Sequence, residues 1–338
     1  MDLSVVVISR NEEAAIGACL KALLEKTAGL KTEIILVDSA STDRTVEIAS
    51  AFPVTIVRIE ECQELSPAAG RYLGTRQASG EYIFFLDGDM ILIDGWLEQA
   101  LAHLADRTVA AVAGSLYRVY PGEELNYDHK NRYVLGKVRY LAGSGVYRRE
   151  VLERTGSFNP FVKGEEEREL GFRILQSGYS IVRLDVPMVY HMEKARTKAE
   201  LDEKSKYFTG VGQIFRHYGF QGITRDLLVA HRSIFSFYCL VLFAALVLIA
   251  FAAVGFLVSA VLMLGAGVLL GIPVILAKGG RKVYLFFRSR FLILANIFKG
   301  FWRGIPAVKG FRAVTSILSP LTAKKLQSGY PERDLKKG

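Results

Sequence analysis

The sequence predicts an α/β fold: a mainly parallel sheet with helices on both faces, followed by an all-α membrane region. Three observations carry the prediction. Apolar runs of strand length alternate with helical periodicity over about the first 190 residues, the pattern of strands joined by crossover helices. Residues 233–277 then run for 45 positions without a charged side chain. The net charge of +9 is also uneven. From Lys278 onward 14 Lys/Arg face two acids, a local +12, which leaves −3 for the first 277 residues.

The elements follow in order. Residues 3–9 (LSVVVIS) form a short apolar run and read as the first strand. Asn11, Glu12 and Glu13 read as a helix start, an N-cap candidate with acids in the first turn. Ile16, Cys19, Leu20 and Leu23 continue it at helical spacing. Residues 33–38 (EIILVD) are a second strand, 43–51 a second helix after a polar turn, and 54–59 a third strand. Residues 82–86 (YIFFL) are apolar on both faces, as central parallel strands are. Residues 109–114 and 186–190 supply two more strands. In the uncharged stretch roughly 20 residues cross a bilayer, so 45 are too many for one span and enough for two, with a turn near Gly255-Phe256. Residues 281–304 (RKVYLFFRSRFLILANIFKGFWRG) set Arg and Lys among Phe, Leu, Ile and Trp, a pattern that suits an interfacial helix. The expected organisation is a catalytic domain at 1–230, a transmembrane hairpin at 231–280 and a basic membrane-surface segment and tail at 281–338.

Composition excludes several classes. With 51% hydrophobic and 23% charged residues, 31 Gly and 9 Pro, the chain is neither disordered nor collagen-like. Cys19, Cys62 and Cys239 form no zinc-ligand pair and no disulfide framework, which fits a reducing compartment. The opening MDLSVVV has no basic stretch before its apolar run and reads as a strand, not a signal peptide. Ser9-Arg10-Asn11-Glu12 lacks the glycines of a dinucleotide-binding turn, and no G-x-x-x-x-G-K-[ST] loop occurs. The tail's charges are interleaved with apolar residues, so its anionic partner is membrane lipid, with no nucleic acid. Oligomeric state has no signature in the sequence.

Ligands of such folds collect at the carboxyl ends of the strands. Asp38 ends the second strand and opens a loop of short polar side chains through Asp43. Asp87 and Asp89 end the 82–86 strand with Gly88 between them. In extended backbone two such carboxylates face the same way and can share a ligand. Oxygen donors on a loop with room for water and phosphate suit Mg²⁺ or Mn²⁺.

These residues resemble a known family. Residues 5–16 (VVVISRNEEAAI), 37–45 (VDSASTDRT), 80–89 (GEYIFFLDGD), 143–158 (GSGVYRREVLERTGSF) and 166–179 (EERELGFRILQSGY) are similar, in order, to motifs of the inverting family-2 glycosyltransferases, whose fold is the Rossmann-like GT-A fold. The resemblance spans roughly residues 1 to 195. It implies that Ser9, Arg10 and Glu12 border the nucleotide, that Asp38 binds the nucleobase, and that Arg71, standing where the family's A-R-N-x-G motif has its arginine, contacts the nucleotide sugar, as Asp87 does. It implies that Asp87 and Asp89 form the D-x-D pair, the second being the direct metal ligand, and that His191 completes the metal shell. Glu167 takes the general-base position of the family's E-D-x-E/D-L segment. A register one residue earlier, with Glu166 as base, stays open.

The implied activity is metal-dependent transfer from a nucleotide sugar, UDP-linked by default, to a hydroxyl of a lipid-linked saccharide or a growing surface polysaccharide. Two alternatives stay open: a polyprenyl-phosphate glycosyltransferase of the same fold, whose acceptor needs no base, and a non-catalytic membrane-tethered carbohydrate-binding scaffold. The Lys/Arg bias beside the spans, Arg225 and Arg232 before and Lys278, Arg281 and Lys282 after, predicts a multi-pass cytoplasmic-membrane protein with both ends inside.

Overall fold

Val5, Val6 and Val7 are all fully buried, although successive residues of a strand point to opposite faces. Strand β1 (Asp2–Ser9) is therefore covered on both sides, as a central strand between helical layers must be. In this computed structural model, which describes residues 2–62, 65–131, 133–194, 205–253, 261, 265 and 280–318, β1 lies between β2 (Lys31–Asp38) and β4 (Tyr82–Asp87) and runs parallel to both. Strand β3 (Thr55–Cys62) extends the parallel half beyond β2. The remaining strands are β5 (Met90–Leu92), β6 (Val109–Val119), β7 (Gly136–Val138), β8 (Gly145–Arg148), β9 (Ser180–Met192) and β10 (Ala313–Leu318). The order is β10-β3-β2-β1-β4-β8-β6-β9-β5, with β7 paired to β9.

The sheet is mixed, a correction to the mainly parallel one expected. Only β3-β2-β1-β4 and the β6–β9 pair are parallel, while β8 runs antiparallel between β4 and β6. A parallel return needs a crossover, usually a helix. None forms between β6 and β8 among the described residues, so the chain re-enters from the end at which it left.

The helices of this half are α1 (Ile16–Lys26), α2 (Thr45–Ala49), α3 (Pro67–Gln77), α4 (Trp96–His103), α5 (Arg149–Thr155) and α6 (Glu166–Gln176). Helix α1 starts at Ile16 and not at the polar residues 11–13. Asn11 adopts a left-handed φ of 56°, and the Glu12 carbonyl accepts from the amides of Ala15 and Ile16. Helix α3 opens on a side-chain cap: the Ser66 hydroxyl accepts from Ala69 N at 3.1 Å, and Pro67 follows. Gly70 and Gly74 face the sheet. A Cβ at Gly74 would collide with Cγ1 of Val6, and one at Gly70 would press on Ile8, so the two glycines seat α3 tightly on β1.

The chain divides into two compact units, Met1–Thr197 with Ile305–Gly338, and Lys198–Gly304. Strand β10 falls within the stretch expected to be a membrane-surface tail and instead pairs antiparallel with β3 at the sheet edge. Just before it, the Phe311 ring packs edge-on against Tyr72 and Phe161, with centroids 5.6 and 5.5 Å away. The second unit holds α7 (Phe208–Tyr218), α8 (Gly222–Ala230), α9 (Arg232–Ala253) and α10 (Gly280–Arg303). Helices α7 and α10 cross at Gly212 and Gly300, where a Cβ on either would strike the other helix's backbone.

Within α9, Arg232–Ala250 has a mean hydropathy of 2.6, is almost entirely unburied, and is long and apolar enough to cross a membrane. It is the one such helix among the described residues. The expected all-α membrane region thus reduces to this helix here, because the expected second span and its turn near Gly255 lie almost wholly outside the described residues. Helix α10 exposes Tyr284, Phe287, Phe291, Phe298 and Trp302 at helical spacing along one face.

Candidate active site

The carboxyl ends of β1 and β2 are laced together by the loops that follow them. Ser39 N donates to Ser9 O at 2.9 Å, Asn11 N to Ser41 Oγ at 2.9 Å, and Glu12 N to Thr45 Oγ1 at 2.8 Å. Glu13 N donates to Asp43 Oδ2, and in return Thr42 N donates to Asn11 Oδ1 at 2.9 Å. The short polar side chains after Asp38 thus hold the loops in register. Asp38 is completely buried and accepts from Ser41 N at 3.1 Å through Oδ2, while its Oδ1 has no partner. The Ser9 hydroxyl is likewise buried and unpartnered, and Arg10 is exposed.

Asp87 and Asp89 flank Gly88 in a turn between β4 and β5, not in the extended run expected, and their carboxylates have different partners. Asp89 Oδ2 lies 3.2 Å from His191 Nε2, and its Oδ1 is buried without a partner. His191 sits opposite Met90 in the β9–β5 pairing, so β9 brings it to the turn. Burial works against protonation of His191, but its hydrogen bond to Asp89 and the charges of Asp89, Asp87 and Glu193 prevail and hold its pKa above the ordinary histidine value. Glu12 completes this side. A Cβ on Gly88 would sit 3.3 Å from Glu12 Cγ, so Glu12 is a third carboxylate beside the pair. Burial, with the charges of Asp89 and Asp87 behind it, pushes the Glu12 carboxyl up to about 7 against the pull of Lys194, whose Nζ lies 2.7 Å from Glu12 Oε1.

Arg71 occupies a place that its position in the sequence did not disclose. Only 2% of its side chain is exposed, and its guanidinium is surrounded by acids. NH2 donates to Asp87 Oδ1 at 2.9 Å and to Gly143 O at 3.2 Å, while NH1 meets Glu166 Oε1 at 3.0 Å and Glu167 Oε1 at 3.2 Å. One positive charge faces three carboxylates, so the gain is unequal. Arg71 is buried, yet its acids drive its pKa up; Glu166 is driven up too, to about 8, by burial first and then by the Glu167 charge. Burial also pushes Asp87 up to about 6, with Arg71 opposing. Burial and the neighbouring Glu167 charge thus both favour the protonated form of Glu166. Glu167 differs in access: 20% of its side chain is exposed, against 4% for Glu166.

Among the described residues no three His, Cys, Asp or Glu side chains are already gathered as a ligand set. The donors nevertheless fit a hard divalent ion shared with phosphate and water. Asp89 Oδ1 and Glu12 Oε2 are buried oxygens without partners, the second Asp87 oxygen lies across from Gly143, and His191 adjoins Asp89. Gly143 and Ser144, whose hydroxyl is also buried and unpartnered, open the 143–158 motif and belong to this region. Lys194 belongs to it too and escaped sequence reasoning, because no local pattern marks it and only the fold brings it in. A surface cleft of about 450 Å³ lined by Asp2, Arg107, Arg148 and Glu153 lies at the opposite, amino end of β1 and mixes four acids with three arginines.

Residues 4–165 match the profile of Glycosyl transferase family 2. The chain is 33% identical over 225 residues to Glycosyltransferase AglE of Haloferax volcanii, covering 63% of this chain and 73% of that protein. It is 28% identical over 211 residues to the O-antigen chain rhamnosyltransferase WbaN of Salmonella anatum, covering 55% and 64%. Among solved structures, the mannosyltransferase PcManGT from Pyrobaculum calidifontis in complex with GDP-Man and Mn²⁺ superposes with a TM-score of 0.56 at 22% identity, over 89% of this chain and 87% of that one. S. aureus TarS 1–349 in complex with UDP-GlcNAc gives 0.53 at 19% identity over 69% and 73%. These two likenesses are of fold.

Proposed function

This chain belongs to glycosyl transferase family 2, and from that premise we propose that it is a membrane-anchored, inverting, metal-dependent enzyme moving a sugar from a nucleotide sugar to a hydroxyl of a lipid-linked saccharide or surface polysaccharide. The observation that carries this reading is Arg71. Its guanidinium joins Asp87, at the donor end of the sheet, to Glu166 and Glu167 at the start of α6, and so makes one site of two distant segments.

The residues divide the work. Asp38, Ser9 and Glu12 line the carboxyl ends of β1 and β2 with buried oxygens that lack partners, which suits a polar nucleoside. Asp87, Asp89 and His191 would hold Mg²⁺ or Mn²⁺. When bound, such an ion neutralises the charge that builds on the leaving diphosphate. Glu167 is the general base. Its side chain is the more exposed of the two, while buried Glu166, whose pKa burial and the Glu167 charge raise, acts as a brace on Arg71. Arg71 fixes the Glu167 carboxylate, so that it meets the acceptor hydroxyl without reorganising. Proton removal on one side and diphosphate departure on the other make a single in-line displacement, which inverts the anomeric carbon. A base of this kind favours a hydroxyl acceptor over a phosphate, which needs none.

Anchoring is supported by the unburied apolar segment Arg232–Ala250, and the exposed aromatic face of α10 suits the acyl boundary with its basic residues at lipid phosphates. UDP is the favoured carrier. The test is a screen of UDP-, GDP- and dTDP-sugars with Mg²⁺ or Mn²⁺ for nucleoside diphosphate release. Release from at least one donor, abolished by EDTA, is the expected result, and none from any donor would overturn the reading.

A further inference from the structure

Lys194, at the end of β9, sends its ammonium across the carboxyl edge of the sheet. Nζ lies 2.7 Å from Glu12 Oε1 and 2.9 Å from the carbonyl oxygen of Asn11. Glu12 in turn lies against Gly88, so three carboxylates crowd the same edge, and each has its own cationic or protonatable partner: Asp87 has Arg71, Asp89 has His191 and Glu12 has Lys194. These partners are not equally fixed. The Arg71 and His191 side chains are 2% and 25% exposed, whereas that of Lys194 is 47% exposed on a flexible four-carbon stem. Of these three partners, Lys194 is the one that can move.

We propose that Lys194 is a specificity-determining residue of the donor site, holding Glu12 while no donor is present and passing its ammonium to the donor's diphosphate when a nucleotide sugar binds. The inference rests on the donor-site reading given above. An ion pair with a half-exposed partner is weakly held, so little opposes the exchange. A diphosphate offers more negative charge than one carboxylate, and several acceptor oxygens for the three ammonium protons. The contact discriminates by phosphate number. It rewards a nucleoside diphosphate over a monophosphate or a free nucleoside, which present less charge to the Lys194 ammonium.

The test is calorimetric binding to the full chain, wild type and Lys194→Met, with Mn²⁺ present, of UDP, UMP and uridine and of the guanosine series. Thermal melts confirm that the variant folds. With whichever diphosphate the wild type binds, Lys194→Met is expected to weaken binding about tenfold or more, the scale of one charged hydrogen bond. Binding of the monophosphate and nucleoside should be nearly unchanged, and Lys194→Arg should recover most of the loss. An equal loss for all three ligands would mean that Lys194 only ties β9 to the β1 loop, and no loss for the diphosphate would mean that it has no donor role. Either result overturns the proposal. If the wild type binds neither UDP nor GDP, it is the donor-site reading that fails, and the role of Lys194 falls with it.

Discussion

Asp87 and Glu167, 80 positions apart in the chain, are held by the two terminal nitrogens of a single guanidinium, Asp87 Oδ1 at 2.9 Å from Arg71 NH2 and Glu167 Oε1 at 3.2 Å from Arg71 NH1. A shift of either segment is therefore felt by the other. In such a site the charge balance matters as much as the distances: one guanidinium faces three carboxylates, and burial raises the pKa of Glu166, the most buried of them.

The titration of Glu166 gives a stability prediction with a definite sign. Its pKa rises from an ordinary 4.5 to about 8 in the folded protein. The folded state thus holds the proton more tightly than the unfolded chain, and the stabilisation is fully present below pH 4.5 and lost as pH rises through 8. Glu166→Gln keeps an oxygen for Arg71 and has no proton to lose. It should flatten the pH dependence of the melting temperature in this window and melt higher than wild type at pH 8–9. An unchanged slope would place the retained proton elsewhere.

Removal of the Asp89 carboxylate should cost the site its divalent ion and leave the fold intact, because the residue lies in a turn outside the core. In Asp89→Ala the electron paramagnetic resonance signal of Mn²⁺ in the presence of nucleoside diphosphate should remain that of the free ion. Bound-ion spectra together with turnover in EDTA would refute the assignment.

Gly74→Ala places a methyl group against Val6, a fully buried residue of the central strand. Overpacking of this kind costs about 1–3 kcal/mol, and the expected outcome is a lower melting midpoint together with weaker donor binding, since α3 carries Arg71. Gly29→Ala, with nothing within 4 Å of the added carbon, is the control.

Legibility in the sequence followed how local the cause was. Asp38, Asp87 and Asp89 could be located because an apolar run fixes where its strand ends, and the fold puts ligands at that end. Polar residues 11–13 misled because an N-cap and an interloop tie use the same side chains; only the pairing of Asn11 with Ser41 and Thr42 tells them apart. The motif register put Glu167 in the base position and left Glu166 open; the different burial of the two acids was not legible, since it is set by packing around Arg71, 95 positions from Glu166. Strand β10 was missed for the same reason, as its partner β3 lies about 250 residues earlier. Lys194 follows His191 with no motif around it, and its importance arises wholly from where β9 ends.

A reporter fused after Gly338 should fluoresce in the cytoplasm if two spans form a hairpin. The Lys/Arg bias around 225–232 and 278–282 predicts both flanks inside. Activity of an outside-specific reporter at the same fusion point would overturn the two-span reading, and it would also conflict with the pairing of β10 with β3, which keeps residues 313–318 on the sheet's side.

The most direct test of the site as a whole compares Glu167→Gln with Glu166→Gln, measuring turnover and donor affinity on the same preparations. The predicted result is a loss of turnover of about 10²–10⁴-fold in Glu167→Gln with donor affinity unchanged, and a far smaller loss in Glu166→Gln. The contradicting result is the reverse split, with Glu167→Gln active and Glu166→Gln inactive at full donor affinity.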